Sequence, residues 1–255
     1  EDTLSLHDAL PIYESDKEVF LSRCNELKSA MALYENKNFY QNFSKVISTI
    51  NIVGQILLII LLWKTNFEFH NHLISIILAY FIADFWNGLV HMYMDNNDNY
   101  EGFFGPFVAN FHLHHRTPLY KKKPVLLVYF DESGSKIWMA PLEIIVILLS
   151  TKIPTFMAFT FMYFFIFSSF AELSHYFCHT VDGKYINFMQ KIKIILNKKH
   201  HAKHHVYDNM NYAFLNGMSD PLINVIAKKF YKGYKNGTDM HYENYKGNGS
   251  KNRQV

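Results

Sequence analysis

Apolar residues along this chain gather into long uncharged runs instead of recurring at the intervals of a soluble core. Residues 46–63, VISTINIVGQILLIILLW, carry no charge over 18 positions, the length at which a membrane-spanning helix becomes the preferred reading. A second run extends from Leu73 to Met94, with Asp84 as its one acidic residue. Oily sequence returns between Ile137 and Ala171, interrupted by TKIP at 151–154, where lysine and proline break a helix. The interruption predicts two further spans, of which the first, near Trp138–Ser150, is short enough for a re-entrant or interfacial helix. The pattern predicts an all-α integral membrane protein of about four transmembrane helices, with its membrane domain over 46–231.

The flanks read differently. Phe20, Cys24, Leu27, Met31 and Tyr34 recur at steps of four and three, so 13–45 is expected to be an amphipathic segment lying on the membrane or packed on the domain. Residues 184–199 and 221–231 mix apolar and lysine positions and predict interfacial helices. The stretch 96–135 is long for a connection, and loops of that length usually have a task. From Lys232 to Val255 the chain is rich in Gly, Asn, Lys and Tyr, which predicts a flexible tail. EDTLSLHDALPI at 1–12 reads as adapter-derived sequence and is set aside, His7 with it.

Charge adds an orientation. The net charge is only +3, but Arg116, Lys121, Lys122, Lys123 and Lys136 lie between the second and third runs, and most other basic residues follow the fourth. With four spans these regions share one side, which the positive-inside rule makes cytoplasmic. Membrane spans argue against nucleic acid as the partner of this charge. The two cysteines, Cys24 and Cys178, exclude a disulfide framework and a CxxC metal pair.

The distinctive chemistry is imidazole. Asp84, Gly88, His91 and Asp95 fall on one face of the second span, and an ionised group at mid-span costs about 2.5–3.5 kcal/mol, which points to function. FHLHHRTP follows with His112, His114 and His115. His175 and His179 stand at i, i+4 beyond the fourth run, a spacing that lets two imidazoles grip one ion. The last group is His200, His201, His204 and His205, with HxxHH inside it. At 14 histidines in 255 residues one HxxHH arises by chance in roughly 4 of 100 such chains. Four clusters that the topology brings to one membrane face are a stronger signal, a histidine-rich metal-binding cap on the cytoplasmic side. Eight or more histidines exceed what one ion can use, so two metals are implied, and a pair of irons open to dioxygen fits an oily setting without HExxH or thiolates. His70, His72 and His241 lack a partner pattern and are expected to be ordinary surface residues.

ADFWNGLVHMYMD, FHLHHRTP, HYFCH, HHAKHH and NMNYAFLNGMSDPL, in that order over Ile76–Ile226, resemble the Kua-type lipid desaturase family. That group includes plasmanylethanolamine desaturases, which make plasmalogens, the bacterial CarF proteins and plant chloroplast palmitate desaturases. The resemblance implies a di-iron, dioxygen-dependent enzyme that places a double bond in an acyl or alkyl-ether chain of a membrane phospholipid. Two irons, dioxygen and an external electron donor of cytochrome b5 or ferredoxin type would be needed. Carried over by position, His91, Asp95, His114, His115, His175, His179, His200, His201, His204 and His205 correspond to the family's essential set. Asp84 and Asn209 are expected to support them by hydrogen bonds, and Trp86 with the run FMYFFIF at 161–167 to line a lipid groove. Asn209 stands where many plasmanylethanolamine-type members have histidine, and the NMNY form is closer to the plant palmitate branch. The alternatives are a lipid hydroxylase on the same scaffold and a histidine-rich membrane metal transporter.

Overall fold

The computed structural model describes residues 14–116, 123–180, 183–242 and 245. The segment 1–12, Lys121, Lys122 and the tail beyond 245 lie outside the described residues. All regular structure described is helical: α1 (Glu14–Asn36), α2 (Asn38–Leu62), α3 (Phe69–Asp95), α4 (Gly105–Arg116), α5 (Val125–Ser133), α6 (Met139–Leu149), α7 (Thr155–Thr180), α8 (Lys184–Lys191), α9 (Lys198–Val206) and α10 (Asp220–Phe230). Three of them, α2, α3 and α7, are long and apolar enough to cross a membrane.

The expected fourth span is the shorter α6, whose 11 residues rise about 16 Å, roughly half a hydrocarbon core. Its starting point accounts for the length. Asn51, midway along α2, donates to the carbonyls of Ser133 (2.9 Å) and Lys136 (3.3 Å), so the chain enters α6 from inside the bundle. From there Met139 and Val146 join Leu58, Leu62, Ala83 and Phe165 in the main core between α2, α3, α6 and α7. Ile60, Ile77 and Leu148 remain exposed on the outer faces, as lipid contact requires.

Lys136 corrects a sequence expectation. It reads as one of the basic residues of the cytoplasmic face, yet it is 3% exposed. Its ammonium meets Glu172 Oε1 at 2.6 Å and Asn87 Oδ1 at 2.6 Å, and lies 4.5 Å from the Phe214 ring centroid. A buried ammonium survives only when paired in this way.

The amphipathic amino-terminal helix packs on the domain. Leu27, Ala30 and Met31 are buried against Tyr100, Val108 and Ala109, the last two on α4. α2 begins at Asn38, eight residues before the uncharged run, and its Tyr40 and Phe43 stack on Phe107. The long 96–135 stretch is mostly the two helices α4 and α5. The interfacial stretch 184–199 is broken, since Lys193 takes a positive φ of 59° between α8 and α9.

The face of α3 that carries Asp84, Gly88, His91 and Asp95 is buried throughout, and it divides between two tasks. Asp84 does not support a histidine. Its Oδ1 accepts from the backbone N–H groups of Leu215 (3.2 Å), Asn216 (2.9 Å) and Gly217 (3.2 Å), and its Oδ2 from Ser219 N (2.9 Å) and Ser219 Oγ (2.6 Å). One carboxylate thus satisfies the loop that leads into α10, and Gly88 lets Ala213 and Ile223 approach the helix where any Cβ would collide. Asp84→Ala leaves those N–H groups buried without an acceptor, at about 1–3 kcal/mol each. Its thermal midpoint in detergent is expected to fall well below that of Asp84→Asn, which keeps one acceptor oxygen; an unchanged midpoint would contradict the anchoring role.

Candidate metal centre

Two groups of donors gather at the ends of α3 and α7. His114, His175, His179, His201 and His205 form one; His91, Asp95, His115 and His204 form the other. In each group the donor atoms lie within 4.8 Å of one another. The division of labour follows helix geometry. Each long helix feeds a single group through an i, i+4 pair, α7 with His175 and His179, α3 with His91 and Asp95. Each short helix feeds both, because neighbouring side chains diverge by about 100°. His114 and His115 of α4 part company, and so do His204 and His205 of α9. The HxxHH triplet, read from the sequence as one shared face, therefore bridges the two groups.

In the α3 group the backbone decides the tautomers. His91 Nδ1 lies 2.8 Å from Tyr212 O, and His204 Nδ1 lies 2.9 Å from Met210 O. A carbonyl only accepts, so Nδ1 carries the proton and Nε2 presents a lone pair. Both Nε2 atoms nevertheless face Asp95 Oδ2 at 3.3 Å, and His115 Nε2 faces Oδ1 at 3.3 Å. His91 Nε2 and both Asp95 oxygens are buried without a hydrogen-bond partner. Lone pairs turned toward a buried carboxylate repel one another unless a cation stands among them.

The α7 group makes the same demand with nitrogen alone. His201 Nε2 lies 3.0 Å from His175 Nε2, 2.8 Å from His179 Nε2 and 3.0 Å from His205 Nε2, and His114 Nε2 is 3.0 Å from His175 Nε2. Each Nε2 holds at most one proton, too few to make all these contacts hydrogen bonds. Donors about 2.1 Å from a common ion and at right angles stand roughly 3.0 Å apart, so the spacing fits metal coordination. Imidazole-rich sites suit iron, zinc, copper and nickel.

His200 joins neither group. Its Nε2 sits 2.5 Å from Asp220 Oδ2, beside the loop that Asp84 anchors, because on α9 it points away from His201 and His204. Asn209 acts at one remove: it accepts from Tyr212 OH at 2.9 Å, and the Tyr212 carbonyl holds His91. His112 is buried outside both groups, with Nε2 on Met94 O (2.8 Å) and Nδ1 near Tyr100 OH (3.2 Å). His241, expected at the surface, is buried and lies 2.9 Å from the same hydroxyl. His72 meets Tyr163 OH at 2.8 Å, while His70 is exposed. Trp86 is half-exposed against Trp138, and Phe164 and Phe165 are core residues; the ring that lies against both groups is Phe214, 5.4 Å from His91 and 5.5 Å from His175.

Sequence reading missed three supports. Asp239 lies 2.9 Å from His115 Nδ1, Glu172 Oε2 lies 3.9 Å from His175 Nδ1, and Thr238 Oγ1 donates to the Asp95 carbonyl at 2.5 Å. Glu172 sits three residues before His175, a helical neighbour that the i, i+3 rule would have offered. Asp239 and Thr238 carried no signal, because they lie in the segment whose composition reads as a loose tail.

Burial holds the imidazoles of His114, His201 and His205 well below their ordinary pKa, and neighbouring imidazoles add to it. His115 differs: burial opposes its charged form, but the Asp95 and Asp239 carboxylates outweigh burial and raise its pKa.

A family model described as a lipid desaturase domain matches residues 80–234, more than half of the chain and all nine gathered donors. No curated protein matches the chain, and no solved structure does.

Acidification gives a test of the burial. Below about pH 6.5 the unfolded chain binds protons on His114, His201 and His205 while the folded chain does not, so folding stability falls as pH falls. Each such group contributes up to about 1.4 kcal/mol per pH unit, and His115 works in the opposite sense as one group against three. The metal-stripped protein is expected to unfold at a lower temperature at pH 5 than at pH 7.5; equal midpoints would mean that these rings are not held neutral.

Proposed function

The chain belongs to the lipid desaturase domain family, and from that membership and the two donor groups we propose that it is a membrane-bound di-iron desaturase of phospholipid chains. The observation that carries the reading is the convergence of buried imidazole lone pairs and an unpartnered carboxylate on two adjacent points, a donor set that wants two cations. His91, Asp95, His115 and His204 would hold one iron, and His114, His175, His179, His201 and His205 the other. When bound, the pair supplies activation of dioxygen and the capacity to take hydrogen from an unactivated C–H bond.

The protein's own residues contribute placement. The carbonyls of Tyr212 and Met210 fix His91 and His204 with Nε2 inward, and Asp239 and Glu172 do the same for His115 and His175. Phe214 and Phe111 cover His91 and keep that side of the centre dry, which suits chemistry on an alkyl chain. Overall, a –CH2–CH2– unit, dioxygen, two electrons and two protons become –CH=CH– and two waters. The substrate proposed is an acyl or alkyl-ether chain of a bilayer phospholipid. The electrons come from an external carrier of cytochrome b5 or ferredoxin type. The basic residues around α9 and after α10 favour a cytoplasmic location for this end of the bundle. A transporter would need ligating groups spaced along several spans, whereas these stand at one end of α3 and α7.

Expression in a host lacking the activity, followed by analysis of total lipids, tests the reaction. A new chain double bond is expected, lost in His204→Ala and His179→Ala and retained in His70→Ala, with all three variants in the membrane fraction. An alcohol in place of the alkene would move the assignment to hydroxylation. Purified wild-type protein is expected to contain about two irons per chain, and zinc alone would contradict the di-iron reading.

A further inference from the structure

We propose that residues 233–242 form a strap that completes the metal centre, with Asp239 as the positioning residue for His115; the inference rests on the metal-centre reading above. The segment lies past the end of the matched family domain at residue 234, apart from its first two residues, and its composition alone reads as a loose tail.

The strap begins at a built corner. Gly233 has a φ of +103°, and the space where its Cβ would stand is filled by the Asp208 carboxylate. Asp208 Oδ1 accepts from Tyr234 N at 2.9 Å and from Lys235 N at 3.2 Å. Because Asp208 follows His205 by three residues, this corner ties the strap to the donor helix α9. The Tyr234 carbonyl then accepts from Gly237 N (3.1 Å) and Asp239 N (3.0 Å), winding the chain back over the centre.

Each contact that follows touches a donor residue. Tyr234 OH donates to the His204 carbonyl, and its ring lies 4.7 Å from that of His115. Lys235 Nζ donates to the His205 carbonyl at 2.5 Å. Thr238 Oγ1 donates to the Asp95 carbonyl at 2.5 Å, and Asp239 Oδ1 accepts from His115 Nδ1 at 2.9 Å. Lys235 Nζ also lies 3.5 Å from Asp239 Oδ2, which steadies the carboxylate. Three of the four residues touched are donors on α4 and α9, and the fourth, Asp95, ends α3. The contacts concentrate on the group of His91, Asp95, His115 and His204, whose one imidazole without a carbonyl partner is His115. A carboxylate on the far nitrogen of a ligating imidazole fixes its tautomer and orientation, and its loss typically lowers metal affinity about 10- to 100-fold.

The test is iron retention under a chelator challenge, with wild type, Asp239→Ala and Asp239→Asn purified in detergent. Wild type is expected to hold about two irons per chain, and Asp239→Ala to hold one firmly while releasing the second about 10- to 100-fold more readily. Asp239→Asn, which keeps an acceptor for Nδ1–H without the charge, is expected to fall between them and serves alone if the alanine variant is not recovered folded. A purely structural strap would lower the thermal midpoint and release both irons together. That result, or release from the variants at the wild-type rate while wild type holds two irons, would overturn the proposal. Wild type without two irons would instead sink the di-iron reading itself.

Discussion

A lone pair on a buried nitrogen has to face something positive, and nine donor atoms converging on two points leave a cation as the partner that fits. The surrounding structure is arranged to maintain that convergence. Backbone carbonyls from the 209–213 turn occupy the outward nitrogens of His91 and His204, so these rings have no way to relax by exchanging tautomers. Asn209 and Asn211 adopt positive φ values of 56° and 59°, the conformation that turns those carbonyls inward, and asparagine tolerates it better than most residues.

The same demand explains why a charged residue is retained in the second span. Asp84 lies about two helical turns before His91 and has no contact with an imidazole, but it holds the loop from which Phe214 reaches the centre. Anchoring that loop on a spanning helix transfers the rigidity of the bundle to groups at its end. Lys136, Glu172 and Asn87 repeat the device on the α7 side, with charge neutralised inside the bundle and one carboxylate oxygen turned to His175. Polar groups inside the apolar bundle are costly alone and stable as closed networks. Here the networks end on the donors.

Much was legible in the chain because two local rules are strong. An uncharged run long enough to cross a bilayer announces itself, which is why α2, α3 and α7 were readable to within a few residues of their cores, and an i, i+4 histidine pair announces a shared face. Both depend on neighbours in sequence. The alternation of His114 with His115 and of His204 with His205 between the two groups was not readable, since it depends on where α4 and α9 cross the ends of α3 and α7. His200 shows the same limit: its place in HHAKHH is indistinguishable from that of His201, and only the position of Asp220 takes it away.

Sequence by itself therefore determined the material: three spanning helices, an excess of imidazole at one end of them, and motifs specific enough to name a family. Tertiary structure decided the assignments. It split one histidine set into two groups, made Lys136 a core residue instead of a surface charge, and brought part of a segment with the composition of a tail onto Asp95, His115, His204 and His205. The physical reason is range. Hydropathy and helical periodicity are carried by residues within a few turns of one another, whereas a coordination site is closed by groups more than a hundred residues apart, whose meeting depends on how the helices pack.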